Sequence, residues 1–163
     1  MKSWILKLSG FLFVMFPISL SIRVQLLHSD SKDPILNDPS LGLTGQEPFL
    51  YNLHCLGCHG MEGKGITDVP PFPGVLGYFI HIPEGREFII QVPGVAHSDL
   101  SNREIAQLTN WILVKFSRKE LPPRFQPFTE EEVERYRKTP LIDVEKRRVE
   151  LIQILRKREI LHE

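Results

Sequence analysis

The two cysteines of this 163-residue chain lie three positions apart and are followed at once by a histidine, in the run Cys55-Leu56-Gly57-Cys58-His59-Gly60. Such a pair can form a disulfide, act as a redox dithiol, bind a metal ion or carry a covalently attached group. A disulfide across two intervening residues closes a very short loop, so it restricts the unfolded chain little and adds little stability. The motif therefore constrains the chain through chemistry that takes place at this point.

The spacing within the motif favours covalent attachment of haem. A redox dithiol of the thioredoxin type opens a helix after a strand, whereas this pair follows a segment with helical periodicity. A structural zinc site needs four ligands, commonly as two spaced pairs, and no second pair accompanies the nearby histidines. In C-x-x-C-H, two thiols can bond to the haem vinyl groups while the adjacent imidazole reaches the iron. The dithiol and the zinc site remain as alternatives.

The first 21 residues are typical of an export signal. A positively charged start is followed by the mostly apolar residues 8–20, and Ser19 and Ser21 have the spacing of small residues that signal peptidase accepts. The apolar run is shorter than the ~20 residues of a full membrane span. We predict a signal peptide or an uncleaved anchor over residues 1–21, a polar linker over 22–43, and a periplasmic location for the folded part.

Two capping boxes predict the two main helices. Thr-Gly-Gln-Glu at 44–47 precedes apolar residues on one helical face and predicts a short helix over about 45–54, which delivers Cys55 at its end. Ser-Asn-Arg-Glu at 101–104 opens the strongest amphipathic pattern in the chain and predicts a helix over about 102–117. Both helices therefore flank the same region of the fold, one on each side of the motif's downstream loop.

That intervening region, residues 60–98, is rich in glycine and proline and is expected to be mostly loop. Its one apolar run, at 87–92, fits either a strand or a helical turn. Further on, residues 129–137 predict a short polar helix and 143–160 a basic helix with a broken apolar stripe. The last helix either lies against the rest of the protein or forms a docking arm for an acidic partner or an anionic membrane surface.

The run CLGCHGMEGKGITDVPPFPG, at residues 55–74, resembles the haem-binding segment of class I c-type cytochromes. In that family the motif is followed by glycines and then by prolines, as it is here at Gly60, Gly63, Gly65 and Pro70. The resemblance covers residues 44–119. It implies an all-α, small cytochrome c-like helical fold around one covalent haem c, with residues 120–163 as a helical C-terminal extension.

The resemblance also implies the roles of individual residues. Cys55 and Cys58 would form the haem thioethers, and His59 would be the proximal iron ligand. In such proteins a downstream proline carbonyl often accepts a hydrogen bond from the second nitrogen of that imidazole, and Pro70 or Pro71 stands at the matching place. A ligating histidine needs such an acceptor because it fixes the tautomer and the ring orientation.

The sixth iron ligand is where the chain departs from the family, which usually supplies a methionine from the loop before the last helix. The one methionine beyond the signal, Met61, lies only two residues after His59 and too near to reach the opposite face. We therefore expect His97 as the sixth ligand, with His81 as the second candidate. A sixth position without a protein side chain is the remaining alternative.

These features predict a periplasmic mono-haem electron carrier that is not itself an enzyme. The alternatives are a haem module that binds or senses a ligand, or catalyses, at an open sixth position, and a haem subunit of a larger oxidoreductase. The expected partner is another redox protein. The formal net charge of zero and the pI of about 7.0 argue against a nucleic-acid-binding protein. Membrane association through the N-terminal segment or the basic C-terminal helix would be compatible with export.

Overall fold

The computed structural model describes residues 34–162, and within this range the chain forms helices joined by loops and no β-strand. The all-α prediction is therefore confirmed. The predicted signal at 1–21 and residues 22–33 of the predicted linker lie outside the described residues. The helices are α1 Glu47–His54, α2 Leu56–His59, α3 Leu76–Phe79, α4 Pro83–Gln91, α5 Pro93–Ala96, α6 Asn102–Phe116, α7 Glu130–Tyr136 and α8 Val144–Lys157, with 3-10 turns at Pro39–Leu41 and Arg118–Glu120.

Helix α6 runs through the centre of the fold. Its predicted capping box is present in full, because the Glu104 N–H donates to the Ser101 hydroxyl and the Ser101 N–H donates to the Glu104 carboxylate. All the residues from Ala106 to Val114 except Gln107 are buried. The helix contacts α1 on one side and α7 on another, so the core is built around it.

Helix α1 begins at Glu47, two residues later than predicted, and its capping differs from the expected box. The Glu47 carboxylate accepts the N–H groups of Thr44 and Gly45 at 2.7 and 2.9 Å. The Thr44 hydroxyl donates to the same carboxylate at 3.0 Å and does not accept a hydrogen bond from the Glu47 N–H. Glu47 is almost fully buried, and a buried carboxylate needs every donor in reach.

The prediction of a mostly irregular segment between residues 60 and 98 is wrong for its second half. Helices α3, α4 and α5 occupy much of residues 76–96, and the ambiguous run at 87–92 is the end of α4. Pro83 and Pro93 stand in the first turns of α4 and α5, where a missing N–H removes no helical hydrogen bond. The apolar side chains of α4 are buried in the common core, which stabilises a helix that glycine and proline content alone argue against.

Helices α7 and α8 begin at the predicted caps. The Thr129 hydroxyl accepts the Glu132 N–H, and the Asp143 carboxylate accepts the Lys146 N–H. Helix α7 lies against α4 and α6, and α8 lies against α3 and α4. The side chains of Val133, Leu151 and Leu155 have no exposed surface. The C-terminal helix therefore packs onto the rest of the protein, and it ends at Lys157, three residues earlier than predicted.

Buried polar groups join the chain beyond residue 120 to the core. The Asn110 side chain accepts the Phe128 N–H at 2.7 Å and donates to the carbonyls of Phe128 and Leu41 at 3.1 and 3.3 Å. The Arg86 guanidinium forms two hydrogen bonds with the Glu132 carboxylate and lies over the Phe128 ring. Such contacts hold one arrangement because any other would leave buried polar groups unpaired.

Candidate haem-attachment site

Cys55 stands at the junction of α1 and α2. Its N–H donates to the Tyr51 carbonyl at 2.9 Å, and its own carbonyl accepts from the N–H groups of Cys58 and His59 at 3.2 and 2.9 Å. Helix α2 is a single turn, so it presents Cys58 and His59 directly after Cys55. Both thiols are free; Cys55 is half-buried and Cys58 is exposed. The motif therefore offers two unbonded sulfurs and an imidazole within one turn of helix.

The electrostatics of the thiols do not support a redox dithiol. Burial, with a smaller contribution from Cys58, raises the pKa of Cys55 to about 11. Catalytic dithiols need a thiol pKa below the usual value, since the thiolate is the nucleophile. For a zinc site, the described range 34–162 contains no group of three or more His, Cys, Asp or Glu side chains placed to hold a metal ion.

The His59 imidazole is held on one face by Phe72. The two rings are stacked, with centroids 3.9 Å apart and planes inclined by 20°. Burial lowers the pKa of His59, and a hydrogen-bonding contribution from the Pro70 backbone partly opposes this. Nδ1 is buried and, among the described residues, has no partner of ordinary hydrogen-bond geometry, so the Pro70 carbonyl acts on the ring from outside that geometry. The neutral imidazole that burial favours is the form that binds a metal.

The loop after the motif folds back onto it, and Gly65 makes this turn. The N–H of Gly65 donates to the His59 carbonyl, and that of Ile66 donates to the Cys58 carbonyl, both at 3.0 Å. Gly65 has φ +77°, and a Cβ at this position would lie 1.9 Å from the Val69 carbonyl oxygen. Only glycine fits such a backbone approach. The turn directs the following prolines toward the His59 ring.

Phe72 is in turn fixed by the ends of the loop. Its N–H donates to the Gly63 carbonyl at 2.8 Å, and its carbonyl accepts the Ser117 hydroxyl, just beyond the end of α6. Ser117 is fully buried. The central helix therefore sets the position of the ring that stacks on His59.

The sequence analysis did not single out Tyr51, which is also part of the site. Its hydroxyl donates to the Gly60 carbonyl at 2.6 Å, and its ring packs against Trp111 and Phe116 of α6. Burial, followed by the influence of Cys55, raises the pKa of Tyr51 to about 12, so the hydroxyl keeps its proton. Its position four residues before Cys55, on the same face of α1, was the signal available in the sequence.

Apolar side chains with large exposed areas are concentrated around the motif. Seven large apolar residues of the described range are strongly exposed, and four of them lie between residues 49 and 66. Phe49 and Leu53 are each 63% exposed and lie one turn apart on α1, and Met61 is 81% exposed. An apolar macrocycle attached at the motif would find apolar side chains to pack against. Together with the free thiols and the buried Nδ1 of His59, this makes the residues present fit a haem.

The two candidates for the sixth ligand differ in their surroundings. His97 follows α5 and is exposed, and its N–H donates to the Pro93 carbonyl. His81 is half-buried, and its Nε2 lies 2.7 Å from the Glu120 carbonyl oxygen. In the part of the chain that the structure describes, neither ring makes a hydrogen bond, ion pair or ring contact with His59. The choice between them stays a prediction.

No protein-family model matches the chain. The chain is similar to cytochrome c-552 of Thermus thermophilus, with 29% identity over 102 residues in a match that covers 51% of this chain and 78% of that protein. It is equally similar to a second cytochrome c-552, from a particular strain of the same organism, of which the match covers 69%. The comparisons therefore show a distant similarity to c-type cytochromes that extends over half of this chain.

Proposed function

We propose that this protein is a mono-haem c-type cytochrome of the class I kind and carries single electrons between redox partners. One haem c would be bonded to Cys55 and Cys58, with His59 as the proximal iron ligand. One observation carries the proposal: two free thiols and a half-buried imidazole are presented by consecutive turns at the end of α1. The similarity to the two cytochromes c-552 supports the same assignment at the level of the broad family.

The protein's own residues would hold and orient the group. Phe72 and the Pro70 carbonyl restrict the His59 ring, and burial keeps that ring neutral. Tyr51 braces the turn after the motif through Gly60. When bound, the haem supplies the ferric–ferrous couple, while the protein supplies ligation, burial and a surface for its partners.

For the sixth position we propose His97, with His81 as the second candidate. Among the described residues, the exposed His97 side chain has no hydrogen-bond partner that binding to iron would have to replace, whereas Nε2 of His81 already lies at a carbonyl oxygen. Imidazole in place of a thioether lowers the haem potential. We therefore expect a lower potential than in a methionine-ligated cytochrome, and no sulfur-to-iron charge-transfer band in the near-infrared spectrum of the ferric form.

For location and partners we propose export to the periplasm and electron exchange with another redox protein. The N-terminal 21 residues support export by their charge, apolar run and small residues. In the described part of the chain, no helix has the length and apolar character needed to cross a bilayer. The exposed basic residues near the end of α8, Arg156, Lys157 and Arg158, are candidates for contact with an acidic partner.

The decisive experiment is to express the full chain together with haem-attachment machinery and to measure its mass and its absorption spectrum. We expect the mass of the polypeptide plus one haem and the spectrum of a reduced c-type haem. Replacing both cysteines, Cys55→Ala with Cys58→Ala, should abolish covalent attachment. Asn52→Ala, an exposed change in the same helix, is the matched control and should leave the haem in place. A wild-type chain with only its polypeptide mass would refute the proposal.

A second function, a haem module that binds a small ligand, is favoured by one observation. Met61, the one methionine of the described residues, is exposed and follows His59 by two positions. Residues 34–162 therefore offer no thioether to the opposite side of the haem. Slow or absent binding of carbon monoxide to the ferrous protein, which becomes rapid in His97→Gln but not in His81→Gln, would favour the electron carrier with His97 as ligand. Rapid binding by the wild type would favour the ligand-binding module.

A further inference from the structure

Arg137, just after α7, uses its entire guanidinium group on one loop. Nη1 donates to the Leu100 carbonyl and the Asn102 side chain at 2.9 and 3.0 Å. Nη2 donates to the carbonyls of Ser98 and Ala96 at 2.8 and 3.2 Å, and Nε donates to the Ala96 carbonyl at 3.3 Å. A guanidinium has five N–H donors, and the five hydrogen bonds account for all of them.

The acceptors belong to the connection between α5 and α6, here called the α5–α6 loop and defined as residues 97–101, or to the residue at each end of it. The carbonyls at the end of a helix and in a tight loop lack helical partners and need donors from elsewhere. A charged donor makes stronger hydrogen bonds with them than a neutral one does. Arg137 thus holds both ends and the middle of the loop from a single side chain.

The other side of the same loop faces the haem-attachment motif. Asp99, in the loop, lies 3.5 Å from Nδ1 of His54, which directly precedes Cys55. The charge of His54 also contributes to lowering the pKa of Glu104, in the first turn of α6. The loop therefore lies between the C-terminal extension and the motif, and it carries His97, the candidate sixth ligand.

We propose that Arg137 is a positioning residue that holds the α5–α6 loop in place beside the haem, so that the C-terminal extension sets the surroundings of the iron. This inference rests on the proposed function. Its physical basis is that the loop residues have no helical ladder or buried apolar side chain of their own except Leu100. Without the guanidinium the three carbonyls would bind water, and the loop would open at low cost.

The test compares Arg137→Met and Arg137→Lys in the full, haem-loaded chain, with Lys138→Met as the matched control. Lys138 is the next residue, and its ammonium pairs with Glu134 at the surface. A lysine cannot span the fork-like arrangement of acceptors that a guanidinium reaches, so Arg137→Lys should be intermediate and guards against a Met variant that does not fold. The first readout is hydrogen exchange of the His97 and Ser98 amides, which donate to the Pro93 and Val95 carbonyls.

For Arg137→Met we expect these two amides to exchange at least about tenfold faster, while the Leu113 amide in the core of α6 is unchanged. The second readout is the ferric absorption spectrum and the rate of carbon monoxide binding to the ferrous form, which should rise about tenfold as the loop opens. Lys138→Met should match the wild type in both readouts.

Two results would overturn the inference and leave the proposed function standing: unchanged amide exchange in Arg137→Met, or faster exchange with a wild-type haem spectrum and ligand-binding rate. A wild-type chain that acquires no haem would refute the proposed function itself, and the positioning role with it.

Discussion

The motif region, residues 47–66, and the C-terminal region, residues 128–155, differ in how completely their groups are paired. In the C-terminal region Val133, Leu151 and Leu155 are fully buried, and the Phe128 backbone is hydrogen-bonded to a core asparagine. In the motif region Phe49 and Leu53 are mostly exposed, and a buried ring nitrogen lacks a partner within the described chain. Exposed apolar patches and unsatisfied buried polar groups mark places where another group binds. The comparison teaches that one region is complete scaffold and the other is built for a ligand.

The largest expected effect lies in the scaffold. Leu151→Ala should lower the free energy of unfolding by about 3 kcal/mol, because it removes a fully buried side chain and leaves a cavity. Denaturant unfolding of the full chain measures this change. Val149→Ala, in the same helix at a 47% exposed position, is the control and should change little. Equal and small effects at both positions would show that α8 does not unfold with the core.

A somewhat smaller loss is expected at the polar joint between the two halves of the chain. Asn110→Ala should cost about 2 kcal/mol, since it leaves the buried Phe128 N–H without an acceptor and two carbonyls without a donor. Gln107→Ala, one turn earlier in α6, removes a single hydrogen bond to the Gly42 carbonyl and serves as control. If thermal unfolding ranks the two variants in the opposite order, the joint is not what fixes the extension.

The capping box of α6 should contribute less, and its contribution should depend on pH. Ser101→Ala should cost about 1 kcal/mol near pH 7. Hydrogen bonds from the Ser101 hydroxyl and N–H lower the pKa of Glu104 in the folded protein. A carboxyl whose folded pKa is depressed stabilises the fold above its unfolded pKa, near 4.5, and loses that contribution as the pH falls through the folded pKa.

The cost of Ser101→Ala should therefore shrink below about pH 4.5, as urea titrations at several pH values would reveal. Glu104→Gln keeps an acceptor without the charge, so it should remove this pH dependence. A cost of Ser101→Ala that stays constant across this acidic range would contradict the assignment.

The smallest effect in the haem-free chain is expected in the motif region, and here the haem should change the result. Phe49→Ser should alter the stability of the Cys55→Ala, Cys58→Ala chain by less than about 0.5 kcal/mol, because the ring is already exposed. In the haem-loaded chain the same change should cost about 1 kcal/mol if the ring packs on the haem. Ile142→Ser, at a fully exposed position outside the motif region, should be neutral in both states. Identical costs in both states would show that Phe49 serves another purpose.

Features with local causes were predictable from the sequence. The full capping box at Ser101 and Glu104 places the start of α6 correctly because its two bonds join residues three apart. The C-x-x-C-H spacing likewise defines candidate chemistry without reference to the fold. Prediction failed where distant contacts decide: α4 is helical because its apolar side chains enter the common core, and Glu47 turns from cap to buried acceptor because its surroundings exclude water.

The sequence by itself determined the attachment motif, the main amphipathic helix and the helical character of the C-terminal segment, because each depends on neighbours within about one turn of chain. Only the tertiary structure decided that the C-terminal segment joins the core and that Arg137 reaches the α5–α6 loop, whose acceptors lie 35 to 41 residues earlier. Contacts across such separations depend on how whole helices pack, and no local pattern of residue types records that packing.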